Sequence, residues 1–218
     1  MSAEPIMEPV MKPKQDPIDL LIAFEAASEA PIRPEYVEGT VIVPPQPNHK
    51  HNHGAFELAF QFRSAGHLVG MGNGYRAAHK DGTTRSLLIP DLYVLRREPT
   101  ELDESYLRAH RGWYPIDMIA LVGEVTSTNH ETDTGPKLRT YAAAGVPVYV
   151  LINRDAKTAH CYTDPILPSD DPTEAFYDSE VKVSLGGQLR LPDPYPTLDT
   201  AIFLQPVRSS PVAKNLPT

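Results

Sequence analysis

The chain has 218 residues, of which 41% are hydrophobic and 22% charged, and this composition is typical of a folded globular protein. Its net charge of −8 and its pI near 5.4 argue against nonspecific coating of nucleic acid or anionic membrane, although they allow a local basic groove. No apolar run reaches the ~18–20 residues of a membrane span, and the first residues lack the pattern of a secretory signal. The single cysteine, Cys161, excludes an intramolecular disulfide and any multi-cysteine metal site. We therefore expect a cytoplasmic protein that does not associate with membranes.

Proline is unusually common in this chain, and its 23 residues are about twice the number expected from the usual ~5%. They lie mainly near the ends of the chain and between its predicted elements. Residues 1–15 and 206–218 show no periodicity and are predicted to be a flexible N-terminal arm and a flexible C-terminal tail. Residues 16–205 are predicted to form a single domain. Helices and strands are mixed along it and several hairpins are expected, so the predicted fold class is α/β (α+β) around a mixed sheet.

The first predicted element is a helix capped by Asp16, with Pro17 at its first position. A strand over residues 36–43, bent at Gly39, follows it. A second helix is expected over about residues 48–65, and its apolar residues are predicted to face a core: Ala55, Phe56, Leu58, Ala59 and Phe62. A third helix is predicted over about residues 133–144. The remaining strands are predicted at residues 67–72, 74–78, 86–96, 117–127, 148–153, 158–162, 175–184 and 188–191. Phe176, Val181, Val183 and Leu185 are expected on one buried face.

An acidic residue lies within each of two apolar strands. Asp91 is embedded in the run from Leu87 to Leu95, and Glu124 follows an apolar run of five residues. A bare carboxylate is costly to bury, so each must be paired, protonated or bound to a metal. If the two strands pair, the carboxylates can converge, and a hard divalent cation would relieve their repulsion.

Lys137 occupies an unusual position for a cation. It follows Pro136, which is tolerated only in the first turn of a helix, and the helix dipole disfavours a positive charge there. A facing carboxylate or phosphate would account for it. The simpler alternative is an ion pair with Asp133, four residues earlier. Tyr141 lies on the same helical face as Lys137, and a packing role is the alternative to a functional one for it.

Three motifs follow one another in the chain: Ile89-Pro90-Asp91, then Gly123-Glu124-Val125-Thr126-Ser127, then Asp133-x3-Lys137-x3-Tyr141 leading to Gly145 and a strand ending at Asn153. In this order they resemble the Uma-two family of restriction endonucleases, within the PD-(D/E)XK nuclease superfamily. The resemblance extends over roughly residues 18–204. It implies a restriction-endonuclease-like central mixed sheet flanked by helices, with an extra N-terminal helix and strand and with C-terminal hairpins.

The resemblance also implies residue roles. Asp91 and Glu124 would bind Mg²⁺ or Mn²⁺, with the carbonyl oxygen of Val125 as a further ligand. The superfamily pattern has a lysine two residues after the glutamate, where this chain has Thr126, and the family replaces it with a lysine from the following helix, here Lys137. Glu38, on the upstream strand, is a candidate additional catalytic acid. The implied activity is metal-dependent endonucleolytic hydrolysis of DNA.

Further residues are candidates for substrate contact: His49, Arg96, Arg97, Thr126, Ser127 and Tyr141. Each has a simpler alternative, and for Arg96 and Arg97 it is a solvated loop. His49 and His53 have the i, i+4 spacing of zinc-binding helices, but the sequence offers no evident third ligand nearby.

Two other functions remain open from the sequence. The chain can be a nuclease fold kept as a DNA-binding or scaffold module with weak hydrolysis, or a metallohydrolase acting on another phosphate ester. A homodimer is also left open, because a symmetric pair of subunits suits two cuts in a duplex. The sequence carries no recognisable helix–turn–helix or zinc finger for reading DNA.

Overall fold

The computed structural model describes residues 15–126 and 130–204. The predicted tail at 206–218 and nearly all of the predicted arm at 1–15 lie outside the described residues. The helices are α1 (Pro17–Ala27), α2 (His49–Ser64), α3 (Glu101–Ala109), α4 (His130–Thr134) and α5 (Pro136–Ala143). The strands are β1 (Glu35–Val37), β2 (Thr40–Ile42), β3 (Val69–Gly70), β4 (Gly74–Ala78), β5 (Thr84–Leu88), β6 (Leu92–Leu95), β7 (Trp113–Pro115), β8 (Ile119–Val125), β9 (Val148–Asn153), β10 (Thr158–Ile166), β11 (Phe176–Ser184), β12 (Gln188–Leu189) and β13 (Leu198–Asp199).

Two mixed sheets form the framework. The six-stranded sheet has the order β11-β10-β9-β8-β6-β3, with β8 and β9 parallel and its other neighbours antiparallel. The five-stranded sheet has the order β2-β1-β5-β4-β7, in which β4 and β7 are parallel. A small pair, β12 with β13, completes the set. The predicted mixed α/β (α+β) fold class is confirmed. None of the helices within the described ranges is long and apolar enough to cross a membrane.

Alternate residues of the central strands fill two cores on opposite faces of the six-stranded sheet. In β9, Val148, Val150 and Ile152 join the cluster that contains Leu58 and Phe62 of α2. The intervening Tyr149 and Leu151 join the cluster that contains Tyr141 of α5. This alternation follows from the period of two in a strand, and it explains why β9 is apolar throughout and buried on both faces.

The caps of the first two helices show how local sequence sets their starts. Asp16 accepts a hydrogen bond from the Ile18 amide at 2.8 Å, and Asn48 accepts one from the His51 amide at 3.0 Å. The predicted start at Asp16 and Pro17 is therefore confirmed. On α2 the predicted burial of Phe56 is wrong, because this side chain lies on the outer face and is 57% exposed.

Three predicted elements are divided in the structure. The strand predicted over 86–96 is β5 and β6, which belong to different sheets and are separated at Ile89-Pro90-Asp91, where proline removes a ladder donor. The strand predicted over 36–43 is the hairpin of β1 and β2, turned at Glu38 and Gly39 with φ of 47° and 80°. The helix predicted over 133–144 is α4 followed by α5, with Gly135 as the N-cap of α5.

Helix α3 was not predicted, although the sequence carries a signal for it. Thr100 and Asp103 form a capping box, in which each side chain bonds the backbone of the other residue. At the far end of the chain, the strand predicted over 175–184 is confirmed as β11. Its predicted buried face is wrong for Phe176 and Val181, which are 44% and 46% exposed, because β11 is an edge strand.

Candidate active site

The pairing of β6 with β8 brings Asp91 and Glu124 together. Leu92 lies opposite Gly123, so Asp91, just before β6, is next to Glu124, near the end of β8. The Val125 amide donates to Asp91 Oδ2 at 2.8 Å, and the Asp91 amide donates to Glu124 Oε2 at 3.4 Å. Gly123 permits this approach, because a Cβ atom there would lie only 2.9 Å from Leu92 Cγ.

Lys137 lies at the second position of α5 and reaches into the same cluster. Its Nζ atom is 2.9 Å from Glu35 Oε2, 3.1 Å from Glu124 Oε1 and 3.9 Å from Asp133 Oδ1. Lys137 is only 5% exposed. These carboxylates offset both its burial and the unfavourable helix dipole. The alternative ion pair with Asp133 is present, but it is the longest of the three contacts.

The acidic residue that the upstream strand contributes to the cluster is Glu35. Glu35 is fully buried, and its Oε1 atom accepts a hydrogen bond from the Ile89 amide at 2.6 Å. The candidate Glu38 lies instead in the β1–β2 turn, outside the pocket, and forms a bidentate ion pair with Arg139 at 2.7 and 2.8 Å. Alternation along β1 could have identified Glu35, because it shares the buried face with Val37.

The histidine at the site is His51. Its Nε2 atom lies 3.0 Å from Asp91 Oδ2. The candidate His49 is exposed and stacks on His53 with the ring centroids 6.1 Å apart, so it does not line the pocket. Within residues 15–126 and 130–204, no group of three or more His, Cys, Asp or Glu side chains is arranged to hold a metal ion. The described residues therefore provide no support for a zinc site at these histidines.

The remaining candidates have four different outcomes. Tyr141 is buried and donates to Glu124 Oε1 at 2.9 Å. Thr126 is also buried, but its hydroxyl accepts from the Arg154 amide at 2.9 Å and ties β8 to the β9–β10 turn. Arg96 and Arg97 lie beyond the opposite end of β6, where they contact the Asp117 carbonyl and the Asp103 carboxylate. Ser127 lies outside the described residues.

The cluster lines an open pocket with an excess of negative charge. In the described part of the chain, its walls carry four carboxylates, from Glu35, Asp91, Glu124 and Asp133. The buried cation opposing them is Lys137, and His51 stands beside Asp91. Other residues complete the lining: Arg33, Pro44, Pro45, Gln46, Pro47, Ile89 and Val125.

The pKa values of these groups reflect this charge balance. Burial raises the pKa of Glu124 well above its usual range; Lys137 opposes the shift, while Asp91, Asp133 and Glu35 add to it. Burial of Lys137 lowers its pKa, but the surrounding carboxylates outweigh burial and raise it. For His51, burial also lowers the pKa, and the hydrogen bond and charge of Asp91 outweigh it. The site as a whole therefore favours added positive charge or protons.

The excess negative charge of the pocket should affect the stability of the fold through the protonation of Asp133. Burial raises the pKa of Asp133 from 3.8 to about 6, with further contributions from Asp91 and Glu35 against the opposing charge of Lys137. Because the folded state holds this proton more tightly, the contribution of Asp133 to stability rises as the pH falls through about 6 towards 3.8. We expect Asp133→Asn to raise the free energy of unfolding at pH 8 by about 1–3 kcal/mol.

Urea unfolding of both proteins at pH 8 and pH 4 checks this expectation. The difference between them should nearly vanish at pH 4, where the wild-type carboxyl is protonated in the folded state. A variant that is less stable than the wild type at pH 8 would show that ionised Asp133 stabilises the fold.

Comparison with known proteins agrees with this architecture. A solved structure from Anabaena variabilis, titled as a putative nuclease belonging to DUF820, has a TM-score of 0.52 with this chain at 16% sequence identity. The similarity covers 84% of this chain and 96% of that one, and it supports the fold. Among curated proteins, none matches the chain. The family model Uma2, described as putative restriction endonuclease, matches residues 21–193, and the chain therefore belongs to the Uma2 family.

Proposed function

We propose that this protein is a metal-dependent endonuclease that hydrolyses DNA phosphodiester bonds, with Asp91, Glu124 and Lys137 as a PD-(D/E)XK-type catalytic set. The observation that carries the proposal is the convergence of these three groups, from the segment before β6, from β8 and from α5, in one open pocket, with Lys137 Nζ 3.1 Å from Glu124 Oε1. Membership of a family described as putative restriction endonuclease supports the reaction class.

The chemistry of the donors suits a hard divalent cation such as Mg²⁺ or Mn²⁺. Asp91 and Glu124 offer carboxylate oxygens, and the Val125 carbonyl is a further candidate ligand beside them. Oxygen ligands of this kind are those that Mg²⁺ and Mn²⁺ prefer. Among the described lining residues, four carboxylates against Lys137 and the exposed Arg33 also leave a negative charge that a divalent ion would reduce. We therefore propose that Asp91, Glu124 and Val125 hold the metal.

Each neighbouring residue has a role that its contacts support. A bound metal would polarise the phosphoryl oxygen and lower the pKa of a water molecule. Lys137, held by Glu35 and Glu124, places a fixed positive charge beside the position where the phosphate gains negative charge. Tyr141 donates to Glu124 and orients its carboxylate, while His51 and the Val125 amide orient Asp91. These are positioning contacts rather than steps of the reaction.

The test is nicking of supercoiled plasmid DNA by the full chain. We expect cleavage with Mg²⁺ or Mn²⁺ and complete loss of cleavage when EDTA is added in excess. Cleavage that persists in EDTA would contradict the metal requirement. DNA binding without turnover with either metal would favour a scaffold module, and hydrolysis of a small phosphate ester without DNA cleavage would favour another metallohydrolase.

A further inference from the structure

The outer edge of β11 is open for pairing. β11 spans nine residues and pairs antiparallel with β10 along one side. In the described part of the chain, no strand pairs with its other side. Such an edge presents a row of backbone N–H and C=O groups that can pair with another strand. It contains no proline, which would weaken this pairing.

The order of the side chains along β11 allows this strand to pair with the same strand of a second copy. Val181 lies near the middle of β11 and is flanked by Glu180 and Lys182. In an antiparallel pair of two β11 strands with the two-fold axis at Val181, the two valines lie opposite each other. Glu180 of each copy then lies opposite Lys182 of the other, so each copy takes part in two oppositely charged pairs.

The neighbouring registers are unfavourable for the same reason. An axis at Glu180 would place two glutamates opposite each other, and an axis at Lys182 would place two lysines opposite each other. The charge of Glu180 is well defined, because its Oε1 atom lies 2.6 Å from His160 Nδ1 and this hydrogen bond lowers its pKa. Of the three registers centred on residues 180 to 182, the sequence of β11 therefore favours the one centred on Val181.

We propose that two copies of this chain associate through β11 in this register, which joins their six-stranded sheets into one continuous sheet. The exposed valines are then covered, and the unpaired backbone groups of both edges find partners. The proposal concerns a face formed by β11, while the pocket is lined from other elements. It does not depend on the nuclease activity, and its test reads only the oligomeric state.

The experiment measures the mass of the full chain in solution by light scattering over a range of concentrations. The wild type should approach twice the chain mass of 24.1 kDa. Val181→Lys and Val181→Asp each place like charges on the two-fold axis, so each variant alone should show the single-chain mass. An equimolar mixture of the two variants should recover the doubled mass, because lysine then faces aspartate. Recovery also shows that both variants are folded.

Two further variants, one control and one that changes a charged pair, test the proposed register. Val43→Lys changes a valine of similar exposure, 43%, outside β11 and should leave the dimer intact. Lys182→Glu retains Val181 and Glu180 but sets glutamate against glutamate, and it should also halve the mass. A wild type that stays at the single-chain mass would overturn the proposal. So would Val181 variants that remain dimeric, or a mixture that fails to dimerise.

Discussion

Replacing Lys137 with methionine is expected to lower the free energy of unfolding by about 3–5 kcal/mol at neutral pH. Methionine keeps much of the side-chain volume but removes the buried cation that lies 2.9 Å from Glu35 and 3.1 Å from Glu124. Both carboxylates are buried, so the variant leaves them poorly solvated and without their counter-charge. Chemical denaturation of the wild type and the variant at pH 7 measures the difference.

Two further variants identify the source of this loss. Adding Glu35→Gln to Lys137→Met should recover part of the stability, because one of the two stranded charges is removed. Lys50→Met is the matched control, since Lys50 is exposed near the start of α2, and it should change stability by less than about 0.5 kcal/mol. If Lys137→Met were as stable as the wild type, Lys137 would not be the counter-charge of this cluster.

Asp91→Asn and Glu124→Gln are expected to abolish DNA cleavage without a comparable loss of stability. Losing a carboxylate of the proposed metal site should cost more than the ~10–100-fold typical of residues that only support a ligand. The fold should tolerate each change, because it removes one of the carboxylates that repel each other in the pocket. Asparagine at position 91 can still accept the hydrogen bond from the Val125 amide.

Plasmid cleavage and thermal unfolding of the same preparations test both parts. Glu25→Gln, an exposed change on α1, is the control for Glu124→Gln and should keep wild-type cleavage. Mn²⁺ should raise the melting temperature of the wild type and of Glu25→Gln but not of the two site variants. Full activity in either site variant would remove that carboxylate from the proposed catalytic set.

Much of the site could be predicted because its residues conflict with their local surroundings. Asp91 and Glu124 are carboxylates in apolar strands, and Lys137 is a cation at a helix N-terminus. Each of these charges needs an opposite charge or a bound ion close to it. Few residues in the sequence can meet this need, and the three are among them. Glu35 and His51 gave a weaker local signal, because an acidic residue at a strand start and a histidine at a helix start are usually solvated.

Where those two residues point depends on pairing between distant segments. The turn at Glu38 lets β2 pair with one side of β1, and β5 pairs with the other side. In this arrangement Glu35 is buried and Glu38 contacts Arg139. On α2 the apolar residues Leu58 and Phe62 pack on β6 and β8, and this sets the rotation that directs His51, rather than His49, at Asp91.

The amino-acid sequence by itself determined many of the elements, the starts of α1 and α2 and the family, because capping, periodicity and motif order are local properties. Tertiary structure alone decided that β5 and β6 belong to different sheets, that β11 is an edge, and which acid and which histidine enter the pocket. The physical reason is that periodicity states which residues share a face of an element. The direction in which that face turns is set by the energy of packing against segments far away in the chain.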